Sequence, residues 1–352
     1  MERGSFIILF ILCSYCLRGE SSFLPVDLKI DYLENPIGID NPNPRFTWRL
    51  DDNSIAAKQT AYRVILGKDS SQVINGKGNV WDLGKIISNQ QLVHYAGATL
   101  KPFTKYYWMV IIWNEKDHTS TSAVHSFETG MMHAANWQGS WISDGRDIHH
   151  KPAPYFRKQF EARKAIASAR VYIAAAGLYE LHVNGEKIGN QRLDPMYTRF
   201  DRRNLYVTHD VTTQLQQGEN AVGVILGNGW YNHQSLAVWN FDNAPWRNRP
   251  AFCLDLRITY TDGSVETIPS DLSWKKADGP IIFNSIYTGE HYDARLEQED
   301  WNREWHCARF PHKTSPHNSC GPFAMCAPYR LSPSERSMSE LTFTTLARIW
   351  RA

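Results

Sequence analysis

The chain has almost no net charge: 38 Lys and Arg stand against 36 Asp and Glu, a formal +2 over 352 residues. It also lacks any dense Lys/Arg block with interleaved aromatics, so the electrostatic footprint of a nucleic-acid binder is missing. No apolar run reaches the ~20 residues that cross a bilayer, and no membrane span is expected. Cysteine is sparse, with six in all. Cys13 and Cys16 fall in the N-terminal apolar stretch, and of Cys253, Cys307, Cys320 and Cys326 three lie in the last fifty residues. Such thiols do not staple the main body, although two bridges in three pairings remain open to them in an oxidising compartment. His306, His312 and His317 lie nearby, but the spacings do not fit the C-x₂₋₄-C pairs of zinc sites. In the second half of the chain no helix-period window competes with the strand pattern.

What is present is an ordinary globular share of apolar residues, 42 %, and an excess of rings: 13 Trp and 16 Tyr. Rings stack on the C–H faces of sugars and also fill the cores of β-sandwiches. At the N-terminus Arg3 precedes the apolar run Phe6–Leu12, followed by Gly19, Ser21 and Ser22. Residues 1–22 therefore read as a signal peptide, and the protein as secreted or lumenal.

Residues 25–130 show short extended runs separated by turns, the pattern of an antiparallel sandwich. The runs are Val26–Leu33, Arg45–Leu50, Tyr62–Leu66, Trp81–Gly84, Gln91–Tyr95, Tyr106–Trp113 and Ser122–Thr129, with Phe46, Trp48 and Leu50 on one face. Leu100-Lys101-Pro102-Phe103-Thr104-Lys105-Tyr106 resembles the L-x-P-x-T-x-Y of fibronectin type III domains, in which the Tyr pins the crossover between sheets. A segment 131–153, with Trp141 and the His149-His150 pair, is expected as a linker. Residues 154–305 are expected to form a β jelly roll: Asn184-Gly185 predicts a type I′ hairpin between Tyr179–Val183 and Glu186–Ile188. Asp262-Gly263 predicts the same between Leu254–Tyr260 and Val265–Ile268. Residues 306–352 read as an irregular, Ser/Pro/His/Cys-rich tail, expected to be aberrant sequence.

Several phrases, in order over about residues 25–305, resemble glycoside hydrolase family 78 α-L-rhamnosidases. They include Tyr32-Leu33-Glu34-Asn35-Pro36, Pro42-Asn43-Pro44-Arg45-Phe46-Thr47-Trp48, Gln59-Thr60-Ala61-Tyr62 and Trp81-Asp82-Leu83-Gly84-Lys85. Further on come Gly177-Leu178-Tyr179-Glu180-Leu181-His182-Val183-Asn184-Gly185-Glu186, Gly227-Asn228-Gly229-Trp230-Tyr231 and Gly289-Glu290-His291-Tyr292-Asp293-Ala294-Arg295-Leu296-Glu297. The resemblance implies an all-β front end, a fibronectin type III or immunoglobulin-like sandwich followed by a galactose-binding-like jelly roll. It implies hydrolysis of terminal non-reducing α-L-rhamnose with inversion, performed by two carboxyls ~6.5–9.5 Å apart in a C-terminal α/α barrel. The family's D-C-P-x-R-x-E-R-type stretch is not found here. Only forty-seven residues follow Trp305, whereas twelve helices of ~11–12 residues need on the order of 140. The chain is thus expected to be a truncated, non-catalytic scaffold and carbohydrate-binding portion, with no catalytic residues of its own. The alternative is a stand-alone secreted lectin-like module for rhamnose-containing glycans.

The resemblance also implies that the second sandwich binds rhamnose-bearing glycans, with no required cofactor but with calcium as an assisting ion. Asn228, Trp230 and Tyr231 follow a strand in a glycine-flanked loop, and Trp239 and Trp246 bracket Asn240, Asp242 and Asn243. Oxygen donors beside an aromatic platform suit a calcium-assisted sugar site, and the same rings suit a plug closing the sandwich. Metal ligands are not assigned. Asp293 and Arg295 share a face of an extended segment and are expected to pair, whereas Glu290 and Asp293 point to opposite faces.

Overall fold

The computed structural model describes residues 23–52, 57–235, 239–298 and 300–303, and the strand backbone at 324–325, 327–328 and 344–345. The leader 1–22, Cys307, Cys320, Cys326 and His306, His312 and His317 lie outside the described residues.

The first domain is a two-sheet antiparallel sandwich. One sheet joins β1 (Leu24–Ile30), β2 (Arg45–Asp51) and β6 (Leu92–His94). The other is built on β3 (Gln59–Gly67) and β7 (Lys105–Asn114), with β4 (Trp81–Asp82), β5 (Ile86–Ile87), β8 (Thr119–Thr121) and β9 (His125–Glu128) alongside. Phe46 and Trp48 are buried, as the alternation of β2 requires. Phe46 meets Trp108 edge-on at 4.8 Å between ring centroids. Strand β7 reads as nearly continuous apolar sequence because both its faces are covered. Tyr106, Trp108, Val110 and Ile112 face the sandwich core, while Met109 packs outward with Ile65 and Val73.

Val73 belongs to a short helix α1 (Ser70–Ile74) that the all-strand reading did not include. Asp69 caps it by accepting from the N–H groups of Ser71 and Gln72 at 2.8 and 3.3 Å. The tyrosine corner forms as expected. The buried Tyr106 hydroxyl accepts the Lys101 N–H at 2.9 Å, and its ring stacks on Phe127 at 5.3 Å.

The second domain is a larger antiparallel sandwich of jelly-roll type. Its first sheet runs β10 (Ile142–Ser143), β17 (Ala251–Tyr260), β12 (Ile166–Ala176), β15 (Leu205–Asp210), with β18 (Val265–Pro269) also on β17. The second runs β14 (Glu186–Lys187), β13 (Leu178–Val183), β16 (Gly218–Gly227), β11 (Pro154–Ala162), β19 (Lys275–Asp278). A separate hairpin pairs β20 (Ile281–Ser285) with β21 (Gly289–Tyr292). Val171, Ile173, Leu254 and Leu256 of one sheet bury against Leu181, Val222, Val224 and Trp274. Strand pieces β22 (Ala324–Met325), β23 (Ala327–Pro328) and β24 (Thr344–Thr345) lie on β19, β10 and β15, in the tail that was expected to be irregular.

Two expectations change. The 131–153 stretch is not a free linker: Ile142–Ser143 is an edge strand of the second domain, paired with Phe252 and Ala251. Two backbone N–H groups just before it, from Gln138 and Gly139, donate to the Asp255 carboxylate at 2.9 and 2.7 Å. That anchorage is long-range, so local polarity gave no sign of it. The two hairpin turns also differ. Asn184 and Gly185 both take positive φ, 49° and 88°, with Val183 opposite Glu186, as a type I′ turn needs. At the other turn only Gly263 is left-handed, and the loop spans 261–264. The Asp262 carboxylate accepts the Ser264 N–H at 2.9 Å, an Asx turn that keeps Asp262 itself out of the left-handed region.

The domains meet through a compact polar joint. The buried Tyr206 hydroxyl donates to Asp40 at 2.7 Å and accepts the Met131 N–H at 2.9 Å. Arg170 of β12 grips both oxygens of Glu128 in β9, at 2.8 and 2.6 Å. Phe103 meets Tyr172 edge-on at 5.5 Å, and Trp137 meets Tyr206 at 5.5 Å.

Candidate functional site

Strand β16 ends in Gly227, and the loop after it must turn sharply under Leu178. Gly229 does so at φ 50°, where a Cβ would lie 3.0 Å from the Leu178 side chain, so glycine is the residue that fits. The loop that follows carries the sequence-derived binding candidates, and the structure divides them. Tyr231 is fully buried and meets Phe200 at 5.1 Å. Trp246, also buried, meets Phe200 at 6.5 Å. Trp230 is half-buried against Tyr197 at 5.7 Å. These rings, with Ala176 and Phe241, form a satellite core that closes the end of the sandwich. Trp239 alone among them stands out in solvent, 74 % exposed.

Asn228 is a strut. Its backbone N–H donates to Asn284 Oδ1 at 2.7 Å, its amide donates to the Asn284 carbonyl at 3.0 Å, and its Oδ1 accepts from Asn232 at 3.2 Å. The loop is thereby tied to the β20–β21 hairpin.

Among Asn240, Asp242 and Asn243 the single carboxylate is Asp242. Its backbone carbonyl accepts from the Arg247 guanidinium at 2.8 Å. Calcium takes about six to eight oxygens, and among the described residues no three His, Cys, Asp or Glu side chains converge.

Beneath the hairpin lies a cleft of about 300 Å³, lined by Leu178, Glu180, Arg192, Gly227, Asn284 and Glu290 among others. Its size suits one small polar ligand. Beside it, Asn284 Nδ2 is buried with no hydrogen-bond partner among the described residues, although the Oδ1 of the same amide is used by Asn228. A buried donor without an acceptor costs ~1–3 kcal/mol.

Glu180 is the charged centre of the wall. The His182 imidazole, 3.8 Å away, and the Lys187 ammonium ion-paired to it hold its carboxyl down to about 2. Such a group is ionised at neutral pH and holds no proton to give a leaving oxygen. Asp293 is bound by Arg295 through two bonds of 2.8 and 2.6 Å, and that guanidinium also lowers its pKa. It further caps the turn 294–296 through the Arg295 N–H at 3.1 Å. The expected Asp293–Arg295 pair is thus present. Glu290 is exposed on β21. Glu180 and Asp293, both with lowered pKa values, are ionised at neutral pH and carry no proton to donate.

Sequence reasoning missed Asn284, Arg192 and the Glu180–Lys187 pair as a group. They are brought together by β13, β14, β20 and the 189–200 loop, which share no local motif. Trp301 is a second such case. It lies on the outer face of the second sheet against Tyr155 at 4.7 Å and His182 at 5.2 Å, over Gly223, where a Cβ would come within 2.6 Å of the indole.

Two family profiles match the chain: a Rha78A-like N-terminal immunoglobulin domain over residues 25–133, and an α-L-rhamnosidase N-terminal domain over residues 164–317. An α-L-rhamnosidase of Formosa agariphila is 32 % identical over 335 residues, covering 84 % of this chain and 34 % of its own length. One from an Alteromonas species is 31 % identical, with 79 % and 31 % covered. Among solved structures, the α-L-rhamnosidase of Dictyoglumus thermophilum superposes with a TM-score of 0.79 at 35 % identity, over 94 % of this chain and 36 % of that one. The chain therefore spans about a third of the length of the relatives it matches.

Proposed function

Because this chain belongs to the glycoside hydrolase family 78 α-L-rhamnosidases through their N-terminal β-domain region, we propose that it supplies a non-catalytic, sugar-engaging scaffold for hydrolysis of terminal α-L-rhamnosyl groups. Secretion, through the apolar segment Phe6–Leu12, is part of the same proposal. The observation that carries the non-catalytic reading is the state of the carboxylates. Inverting hydrolysis needs one protonated and one ionised carboxyl across the sugar. Here Glu180 is held down to about 2 by His182 and Lys187, and Asp293 is occupied by Arg295.

A second reading, a stand-alone lectin-like module for rhamnose-containing glycans, is favoured by a cleft of one-sugar size lined by Glu180, Arg192, Asn284 and Glu290. The test is calorimetric titration of L-rhamnose into the purified chain, with and without calcium, beside an assay of nitrophenyl α-L-rhamnoside hydrolysis. Saturable binding without turnover supports a binding scaffold, and loss of that binding in Asn284→Ala assigns it to the cleft. Turnover would overturn the non-catalytic reading. The absence of both binding and turnover would leave the scaffold role without its sugar-engaging part.

A further inference from the structure

At the joint between the two domains lies a second cleft, of about 370 Å³, lined by Phe103, Lys105 and Glu128 from the first domain and by residues of β12, β15 and β17 from the second. The outward faces of β12 and β17 put Arg170 directly opposite Arg257, and Ser168 opposite Thr259. Like charges opposite each other on adjacent strands destabilise a sheet unless they are neutralised. Arg170 is neutralised: Glu128 takes its Nε and Nη2, and Asp210 lies 2.8 Å from its Nη1. Arg257 is not. Its guanidinium lies over the Phe103 ring at 4.4 Å, and among the described residues it makes no hydrogen bond or ion pair.

Lys105, across the cleft, likewise pairs with no carboxylate among the described residues; its ammonium lies 5.5 Å from the Tyr107 ring. Among the residues lining the cleft three cations face two carboxylates, Glu128 and Asp210; both contact Arg170, and Glu128 is also the cross-strand neighbour of Lys105. The Ser168 and Thr259 hydroxyls line the same space.

We infer that this interdomain cleft binds an acidic sugar, a hydroxylated ring bearing a carboxylate, with Arg257 as the carboxylate anchor. A planar guanidinium held flat by an aromatic ring is pre-organised for bidentate contact with a carboxylate. Lys105 supplies the second positive charge, and Ser168 and Thr259 supply hydrogen bonds to ring hydroxyls. The site lies apart from the β20–β21 cleft and does not depend on what that cleft binds.

The test is titration of the whole chain with D-galacturonate, D-glucose and inorganic sulfate, by calorimetry and by ligand-observed NMR. Galacturonate is expected to bind saturably, to weaken as salt rises, and to weaken about tenfold or more in Arg257→Ala and several-fold in Lys105→Ala. Arg257→Gln, which retains packing on Phe103, is expected to behave like Arg257→Ala with an unchanged unfolding midpoint. The salt dependence of the unaltered chain keeps the test valid if the alanine variant fails to fold. Absence of galacturonate binding, or binding unaffected by Arg257→Gln, would overturn the assignment. Glucose binding as well as galacturonate would remove the role of charge, and sulfate binding as well would reduce the cleft to a general anion site.

Discussion

Replacing Tyr206 with Phe removes one oxygen from the centre of the domain joint and leaves the ring in place. That oxygen is fully buried. It donates to the Asp40 carboxylate at 2.7 Å, a bond to a charged acceptor, which contributes ~1.5–3 kcal/mol. It also accepts the buried Met131 N–H at 2.9 Å, and leaving such a donor unpaired costs ~1–3 kcal/mol. The expected destabilisation is therefore ~2.5–6 kcal/mol, equivalent to a fall in midpoint of roughly 5–25 °C for domains of this size. Urea titration followed by tryptophan fluorescence reads this directly, because Trp137 packs 5.5 Å from the Tyr206 ring. The same oxygen of Asp40 also accepts the Met132 N–H at 2.8 Å. Asp40→Ala should thus destabilise independently, and the double variant should show a coupling of about 1 kcal/mol or more. A change below ~0.5 kcal/mol in Tyr206→Phe, or strictly additive effects with Asp40→Ala, would refute the claim that this hydroxyl locks the two sandwiches.

His209 is buried beside the Tyr179 hydroxyl at 2.8 Å, and burial pulls its imidazole from 6.5 to about 4. The unfolded chain takes up a proton that the folded chain refuses between those values. Stability is therefore full above about pH 6.5 and falls as pH drops toward 4, by up to ~3 kcal/mol; urea melts at pH 7, 6, 5 and 4 should show the slope, and His209→Gln should flatten it. Cys253 is fully buried, and burial pushes its thiol well above the ordinary range. Peptide mapping after maleimide treatment should find it unlabelled in the native protein and labelled in denaturant. Tyr231→Ala should cost ~3–5 kcal/mol, whereas Trp239→Ala should change stability by less than ~0.5 kcal/mol; equal losses in thermal melts would contradict the division of these rings into plug and exposed surface.

What was legible in the sequence was what short stretches decide by themselves. Asn184-Gly185 requires two left-handed residues and obtains them, and the L-x-P-x-T-x-Y phrase places a hydroxyl five residues from the N–H it accepts. The alternation of Phe46 and Trp48 names a buried face without any knowledge of what it buries against. The misses share one cause: the deciding partner is far away in the chain. Asp262-Gly263 has the composition of a two-residue hairpin, but the Asp262 side chain binds Ser264 and Lys164 at 2.7 Å, and the loop lengthens. The 131–153 stretch reads as a polar connector because nothing in it announces Asp255 and Ser270, which hold it in the sheet.

The binding candidates show the same limit more sharply. Trp230, Tyr231, Trp239 and Trp246 are equivalent in a sequence, each a ring in an irregular glycine- or asparagine-rich stretch. Burial separates them, because the end of a sandwich exposes backbone and apolar edges that rings must cover. Phe200, brought in from the preceding loop, recruits Tyr231 and Trp246 to that task and leaves Trp239 outside. By contrast, the groups left without a hydrogen-bond partner among the described residues, the buried Asn284 Nδ2 beside one cleft and the Arg257 guanidinium in the other, are ordinary surface residue types with no motif around them. Their significance arises only when the partners they lack are known. A deficit of that kind is a property of the folded arrangement, and for this reason both clefts are best tested by ligands that would fill it.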